Sequence, residues 1–418
     1  KCKSGTNHAT GFTGVSETMT RISRRQFINS SAMTGLAAAF PGLAFGKTPG
    51  QRKFVLVILR GAADGLAIAA PYGDGNYRRL RGELALPDPG TESGLLKLDG
   101  MFGLNPAMPE LYNEYQNGRA SILHAVASPY RSRSHFDGQD FLESGSSASK
   151  SHRDGWMNRA LGASGSNTAA IAVAPHAPMV LRGQNPASNW APSRLTLADE
   201  PTLHRIASMY GEDEFFSERL AQAMRAEDIA DENVEMDGRR VRASSAAYIR
   251  QLMEAAAKFL TSQNGPNMAV VEAGGWDTHA NQGSTGGTLF NRLSGLDSSL
   301  AYLRKGLGEA WADTVVTVVT EFGRTARVNG TRGTDHGTAS AAIIVGGAVN
   351  GGRVLADWPG LRDNDLFEQR DLAPTTDIRS LFKAVLIEHL GCDSAHIEEI
   401  VFPHSASARP LESLIRAT

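Results

Sequence analysis

The sequence predicts an α/β fold: a doubly wound, mostly parallel sheet with helices on both faces. Two observations predict it: short runs of consecutive apolar residues, and helical patterns between these runs. Runs that are apolar at every position, rather than at alternate positions, indicate strands that are covered on both faces. The predicted strands are residues 54–59, 120–126, 269–271, 314–319 and 341–345.

The helical patterns complete this alternation. Leucines recur at spacings of four and three over residues 289–307, which places them on one apolar stripe of a helix. Further helices are predicted from 238 to about 262, and from 378 to 390, where Gly391 ends the helix. In doubly wound folds, ligands bind outside the carboxyl ends of the strands, so functional residues should follow strands.

The domain organisation is predicted from the same patterns. Residues 185–235 are polar and then acidic, without a strong strand pattern. We therefore predict one domain over residues 47–418, with a helical insertion at about 185–262. Residues 1–46 are interpreted as an upstream extension and an export signal.

The export signal is predicted from the Arg24-Arg25 pair, which precedes a mildly apolar stretch at 30–45. This order is typical of a twin-arginine leader, and the stretch is too short to be a permanent membrane span. An amphipathic surface helix is the alternative. We expect export to the periplasm or beyond, with the twin-arginine translocase as a partner. Cleavage would remove Cys2 and leave Cys392 without an intrachain disulfide partner.

Composition narrows the classes of partner. The 418 residues are 41% hydrophobic and 21% charged, with a formal net charge of −2. This balance is typical of a globular protein and gives no electrostatic reason to expect nucleic acid as a partner. A small-molecule or polymer substrate is expected instead.

Polar residues lie at the ends of the predicted strands. Asp64 follows the first strand, Asp277 and His279 follow 269–271, and Glu321 follows 314–319. Asp335 and His336 lie between small residues before 341–345. Taken singly, these residues have ordinary explanations: an Asx turn, a hydrogen-bonded Asp–His pair, or a surface ion pair between Glu321 and Arg324.

Their convergence on one sheet edge predicts a metal site. Crowded carboxylates repel one another and are costly to bury without cationic partners, protons or a bound metal. Oxygen and imidazole ligands suit Zn²⁺ or Mn²⁺, with Mg²⁺ or Ca²⁺ where oxygens dominate. The predicted ligands are Asp64, Asp277, His279, Glu321, Asp335 and His336.

A second cluster follows the strand at 120–126. Ser134 has the position of a helix N-cap, with Asp137 three residues later as in a capping box. Alternatively, Ser134 at this helix N-terminus, flanked by Arg131, Arg133 and His135, lies where a phosphate or sulfate group can be held. Both interpretations of Ser134 stay open at this point.

Together, the motifs resemble domain-of-unknown-function family 1501, which is placed in the alkaline-phosphatase-like superfamily of phosphatases, sulfatases and phosphomutases. The resemblance covers about residues 50–400. It depends on the Arg24-Arg25 leader and on the segments Arg-Ser-His-Phe at 133–136, Gly-Gly-Trp-Asp-Thr-His at 274–279, Glu-Phe-Gly-Arg-Thr at 321–325 and Thr-Asp-His-Gly at 334–337.

The resemblance implies an alkaline-phosphatase-like fold and one or two metal ions. It also implies Asp64 as the first ligand, Ser134 as the nucleophile, Asp277 with His279 as one metal pair, and Asp335 with His336 as another. The chain departs from the superfamily in the close Asp-x-His spacing at 277–279 and in Glu321-Phe322-Gly323, where phosphatases have Asp-His-Gly. A formylglycine nucleophile is excluded because the sulfatase signature Cys-x-Pro-x-Arg is absent from the sequence.

The first functional hypothesis is a metal-dependent hydrolase of phosphoric or sulfuric esters. Ser134 and His135 are its catalytic residues, and Arg131, Arg133 and Arg324 bind the substrate. The second hypothesis is a non-catalytic exported binding or assembly protein on the same scaffold. A metal-free oxidoreductase ranks third, because no Gly-x-Gly-x-x-Gly follows the first strand.

Overall fold

The computed structural model describes residues 52–148, 152–163, 169–192, 200–210, 213–231 and 245–416. The predicted export signal lies outside the described residues. In the described part of the chain, no helix is both long and apolar enough to cross a membrane.

The strands form a nine-stranded sheet and a small three-stranded sheet. In chain order they are β1 Lys53–Arg60, β2 Ala69–Ala70, β3 Leu96–Lys97, β4 Gly103–Leu104, β5 Ala120–Ala127, β6 Ala170–Val173, β7 Ala187–Trp190, β8 Met268–Gly274, β9 Thr314–Thr320, β10 Ser340–Val345, β11 Arg353–Leu355 and β12 Thr376–Asp377. The large sheet has the order β11-β5-β10-β9-β1-β8-β6-β7, with β12 also paired to β5, and the small sheet has the order β2-β4-β3. All five predicted strands are confirmed, as β1, β5, β8, β9 and β10, whereas the other strands were not predicted.

One strand of the large sheet runs against the others. β1, β8 and β9 pair in parallel, but β10 is antiparallel to both of its neighbours, β5 and β9. The predicted mostly parallel sheet is therefore confirmed. Because β10 is reversed, the residues before it meet the residues that follow β1, β8 and β9.

Eleven α-helices lie in the described part of the chain. They are α1 Gly65–Ile68, α2 Tyr77–Arg81, α3 Pro109–Gln116, α4 His135–Ser144, α5 Trp156–Ala163, α6 Glu200–Tyr210, α7 Glu214–Asp231, α8 Ala246–Thr261, α9 Thr288–Leu307, α10 Ile378–Ala384 and α11 Ser394–His396. Short 3₁₀ turns lie at Gly82–Leu84, Met179–Leu181, Gly308–Asp313 and Asp363–Asp365, and π turns at Val385–His389 and Ile397–Val401.

Alternate residues of β1 show how both faces of the sheet are covered. Val55 and Val57 belong to a buried cluster with the apolar stripes of α8 and α9. Leu56 and Ile58 belong to a second cluster, with α5 and α10. Helices on both faces are therefore confirmed, and the buried sheet can hold loops rigidly at its edge.

The predicted helices are found with shifted ends. The leucine stripe forms α9, as predicted. α8 begins after Ser245, whose hydroxyl accepts a hydrogen bond from the Tyr248 amide at 3.2 Å. The predicted start of this helix at 238 lies outside the described residues. The third helix changes from α to π after Ala384, and Gly391 follows it at φ +70°.

The chain divides into two compact units, Lys1–Phe40 with Leu197–Arg225, and Pro41–Thr196 with Ala226–Thr418. The described part of the first unit is helical. The second unit contains the large sheet. Within the predicted insertion at 185–262, β7 joins that sheet, and α8 packs on it. One domain over residues 47–418 stays a prediction.

Candidate functional site

Three loops meet at the carboxyl edge of the parallel strands. Gly61, directly after β1, has φ +119°, and a Cβ on it would lie 2.7 Å from the Asp277 amide nitrogen. Its own amide donates to Glu321 Oε1 at 2.8 Å. Glycine is therefore needed here, because the loop after β1 packs directly on the loops after β8 and β9.

The loop after β9 pairs with the loop before β10. The Gly323 amide donates to the Thr338 carbonyl at 2.9 Å, and the Thr325 amide donates to the Asp335 carbonyl at 2.8 Å. A Cβ at Gly323 would lie 1.8 Å from the Ala339 carbonyl oxygen. This close pairing places His336 opposite Arg324.

The centre of the site is the Asp277 carboxylate, which three imidazoles surround. His279 Nε2 lies 2.9 Å and His336 Nε2 3.1 Å from Asp277 Oδ1. His135 Nε2 lies 3.4 Å from Asp277 Oδ2. The His279 and His336 Nε2 atoms are 3.0 Å apart. Three ring nitrogens, from the start of α4 and from the loops after β8 and before β10, thus converge on one carboxylate.

The other ring nitrogen of each imidazole, Nδ1, contacts an oxygen on the side away from Asp277. Each Nδ1 contacts an oxygen of a neighbouring loop: His135 contacts Glu321 Oε1 at 2.8 Å, His279 contacts Asp335 Oδ1 at 3.3 Å, and His336 contacts the Arg133 carbonyl at 3.0 Å. Oxygen partners on the far nitrogen orient metal-binding histidines and select the tautomer in which Nε2 is free to bind.

The protonation state of His336 follows from this arrangement. A carbonyl oxygen can only accept a hydrogen bond, so His336 Nδ1 carries the proton. The Nε2 atom of neutral His336 then has a lone pair directed at a carboxylate oxygen and at a second imidazole. A cation removes this repulsion. The donor set therefore fits a divalent ion bound by nitrogen and oxygen, and His135, Asp277 and His336 offer ligand atoms within 4.8 Å of one another.

The charges in the site favour the ligand forms of Asp277 and His336, whereas those around His135 favour its protonated form. Burial acts to raise the pKa of Asp277, but the hydrogen bond and charge of Arg324 outweigh it and hold this pKa below its ordinary value. The hydrogen bond that His135 donates to Glu321 raises the pKa of His135. Burial and the charge of His135 lower the pKa of His336. At neutral pH, Asp277 is ionised and His336 is neutral.

Asp64, a predicted ligand, lies in different surroundings. It is 1% exposed, and its Oδ2 atom accepts hydrogen bonds from Arg81 and from Gln282 Nε2. Gln282 Oε1 in turn accepts from the Thr334 hydroxyl at 2.7 Å, and Thr334 accepts from Arg324 Nε at 3.1 Å. Among the described residues, the side-chain hydrogen bonds of Asp64 are with this network rather than with the site histidines.

Two predicted ligands, Glu321 and Asp335, lie behind the imidazoles. The Glu321 side chain is fully buried, and its pKa lies below its ordinary value because its hydrogen bonds to His135 and to backbone amides outweigh burial. Asp335 is half exposed and accepts from Asn329 Nδ2 at 2.9 Å, which lowers its pKa. Both carboxylates stay ionised and can orient an imidazole.

The predicted substrate-binding arginines each have other partners. Arg131 donates to the Ser128 and Tyr130 carbonyls of its own turn. Arg133 donates to Asp371 Oδ2 at 2.7 Å and to Glu368. Arg324 is fully buried, and its Nη1 atom donates to Asp277.

Ser134 is the residue before the first turn of α4. Among the described residues its side chain makes no capping hydrogen bond, and its amide donates to the Tyr130 hydroxyl at 2.8 Å. The preceding residue contacts His336, and the following residue is His135 itself. Ser134 thus lies between two residues of the site, half-buried, with its hydroxyl not used for capping.

Sequence reasoning missed Arg81 and Gln282, the partners of Asp64. Arg81 belongs to the basic segment 78–81, which is typical of a solvated surface helix, yet it is fully buried. Gln282 lies in a polar loop with no motif. The burial of both depends on tertiary packing, so no local pattern could identify them.

The sequence matches a protein family described as "Protein of unknown function (DUF1501)" over residues 115–401. No curated protein matches it. It is similar to a phosphonate monoester hydrolase of Agrobacterium radiobacter, with 12% identity, coverage of 82% of this chain and 74% of that chain, and a TM-score of 0.41. A mutant of the alkaline phosphatase PafA gives 7% identity, coverage of 88% and 100%, and a TM-score of 0.41. A protein in the alkaline phosphatase superfamily from Vibrio parahaemolyticus is 12% identical, with coverage of 77% of this chain and 68% of that chain, and a TM-score of 0.31.

Proposed function

The chain belongs to the DUF1501 family, as its motifs predict, and we propose that it is an exported, metal-dependent hydrolase of phosphoric or sulfuric esters. The similar solved structures are distant, so the proposal depends on the side chains of this chain and on the resemblance of its motifs.

One observation carries the proposal: three imidazole Nε2 atoms converge on Asp277, and an oxygen contacts each Nδ1. A structural ion pair would not need three oriented imidazoles around one carboxylate. The site would bind a divalent ion through His135, Asp277, His279 and His336. A bound divalent ion supplies a Lewis acid that stabilises negative charge on the ester oxygens.

Ser134 is assigned as the nucleophile. Its hydroxyl would lose a proton to solvent as Oγ forms a bond to phosphorus or sulfur, while the alcohol oxygen of the ester leaves and takes up a proton from solvent. A water molecule would then hydrolyse the serine ester and restore the hydroxyl. The absence of a capping hydrogen bond on Ser134, within the described residues, supports this role.

The experiment is a panel of phosphate monoesters, phosphodiesters and sulfate esters, assayed on purified protein of known metal content. We expect turnover that a chelator abolishes and that Zn²⁺ or Mn²⁺ restores. Ser134→Ala should lose turnover and keep the metal. The matched control is Asp88→Asn, because Asp88 is a half-exposed aspartate paired with Arg78. Turnover by Ser134→Ala at the wild-type rate would contradict the role of Ser134.

A second function, a metal-containing binding or assembly protein, is favoured by the engagement of Arg131 and Arg133 with other partners. These guanidinium groups are the ones that the sequence assigns to the substrate. The same panel separates the two functions. Metal binding without turnover of any ester would support the binding protein.

Export by the twin-arginine pathway is part of the proposal and depends on Arg24 and Arg25. Replacement of both by lysine should leave the protein in the cytoplasm, because the pathway reads the arginine pair. The measurement is cell fractionation with immunodetection. Wild-type amounts of the double variant in the periplasm would contradict the export proposal.

A further inference from the structure

Arg133 has an unusual backbone conformation. Its φ is +62°, in the left-handed region, which is unfavourable for a residue with a Cβ. Such strain persists only when the surroundings hold it, and it is concentrated at functional sites. A compensating interaction is therefore expected at Arg133.

The compensating interaction is an ion pair with Asp371. Arg133 Nε donates to Asp371 Oδ2 at 2.7 Å, and the Asp371 side chain is fully buried while Arg133 is 20% exposed. Asp371 is itself fixed, because its backbone pairs with Thr325, in the loop after β9. Arg133 is thus anchored to the loop that also supports Arg324 and the site.

The strained conformation has a direct consequence for His336. The Arg133 carbonyl accepts a hydrogen bond from His336 Nδ1 at 3.0 Å. The other two site histidines are oriented by carboxylate side chains, Glu321 and Asp335. Among the contacts that the structure gives for the site, His336 alone has a main-chain oxygen on Nδ1, so its orientation depends on the backbone torsion of Arg133.

We propose that Arg133 is a positioning residue rather than a substrate ligand: its ion pair with Asp371 holds a left-handed backbone that fixes the tautomer of His336. The proton stays on Nδ1, and Nε2 faces Asp277 with its lone pair. The part of this inference that concerns metal affinity rests on the proposed function, whereas the tautomer does not.

The first measurement is metal affinity, by competition of Zn²⁺ with a chromogenic chelator. Loss of an outer partner typically weakens metal binding by about 10–100-fold. Arg133→Ala and Asp371→Asn should show that loss. Arg133→Gly should lose less than Arg133→Ala, because glycine adopts positive φ without the Cβ penalty. A substrate-binding role for the guanidinium predicts wild-type metal affinity in all three variants.

The matched control is Arg370→Ala. Arg370 contacts the other oxygen of the same carboxylate, Asp371 Oδ1, at 3.2 Å. Arg370→Ala removes one positive charge beside Asp371, as Arg133→Ala does, but leaves the backbone of residue 133 unchanged. We expect wild-type metal affinity from this control. An equal loss in Arg370→Ala and Arg133→Ala would overturn the positioning role, because the effect would then come from charge alone.

The second measurement needs no metal. Long-range ¹H–¹⁵N spectra of histidine-labelled, metal-free protein report which ring nitrogen of His336 carries the proton. We expect the Nδ1–H tautomer in the wild type and in Arg370→Ala, and a mixture in Arg133→Ala. An unchanged Nδ1–H tautomer in Arg133→Ala would overturn the proposal. A wild type that shows this tautomer but binds no metal would instead contradict the proposed function alone.

Discussion

Asp64 and Asp277 both follow strands that end at the same edge of the sheet, yet their environments are opposite. Asp64 is 1% exposed and bonded to Arg81 and Gln282. The Asp277 side chain is 39% exposed and surrounded by three imidazoles. The sequence assigns both as metal ligands because both follow strands. The comparison shows that the partners at the strand end, rather than the position, determine what a carboxylate can bind.

The two environments are nevertheless connected. Gln282 contacts Asp64, and Thr334 links Gln282 to Arg324, which donates to Asp277. A chain of hydrogen bonds therefore connects Asp64 to Asp277 through these side chains. Substitutions of Asp277 should mainly change metal binding, whereas substitutions of Asp64 should mainly change the free energy of unfolding.

The largest effect is expected from Asp277→Asn. The amide loses the charge that three imidazoles and Arg324 share, so metal affinity should fall by more than the roughly 10–100-fold expected for an outer partner. Ester turnover should become undetectable. The free energy of unfolding should change little, because Asp277 is partly exposed. Elemental analysis and the ester assay provide the measurements, and wild-type metal content in this variant would contradict the assignment.

Asp64→Asn should have the opposite profile. It leaves the buried Arg81 guanidinium without its charge partner, which typically costs about 3–5 kcal/mol. Denaturant unfolding measures this cost. The double variant Asp64→Asn with Arg81→Met should recover stability, since both charges are then removed. If Asp64→Asn stays fully stable but loses the metal, Asp64 is a ligand, and the comparison fails.

His124 sharpens the comparison, because both of its ring nitrogens are already bonded. Nε2 contacts the Ala69 carbonyl at 2.8 Å, and Nδ1 accepts from the Ala125 amide at 2.9 Å. Burial lowers the pKa of His124 to about 4. The unfolded chain takes up this proton near pH 6.5, before the folded protein does, so stability falls as pH falls from about 6.5 to about 4.

The expected size of this effect is about 3 kcal/mol, from roughly 1.4 kcal/mol per pKa unit. His389, whose pKa burial also lowers to about 4, contributes in the same pH range. His124→Gln should therefore reduce the pH dependence of unfolding without abolishing it. Chemical denaturation at a series of pH values measures the slope. A slope equal to that of the wild type would contradict the neutral, fully bonded state of His124.

The smallest effects are expected from the carboxylates behind the imidazoles. Glu321→Gln should weaken metal binding by about 10–100-fold, because it weakens the acceptor on His135 Nδ1. Asp335→Asn should cost less, since Asp335 is half exposed and 3.3 Å from His279 Nδ1. Chelator competition measures both. Complete loss of metal from Asp335→Asn would indicate a ligand rather than an orienting group.

The sequence predicted five strands of the large sheet because their buried residues are mostly apolar at consecutive positions, whatever the direction of the strand. For the same reason, it could not predict that β10 runs antiparallel. The convergence of Asp277, His279 and His336 followed from their positions around strands. Three features depend on residues distant in the chain, which no local pattern records. They are the burial of Asp64, the hydrogen bonds of Arg324 to both Thr334 and Asp277, and the left-handed conformation of Arg133.

The central claim is that His135, Asp277, His279 and His336 bind one divalent ion. X-ray absorption spectroscopy of the zinc-reconstituted protein tests it most directly, because it counts imidazole ligands. We predict one zinc per chain, with nitrogen and oxygen ligands that include three imidazoles, and loss of this signal in Asp277→Ala with His279→Ala. A wild type that takes up no more zinc than this double variant after reconstitution would contradict the claim.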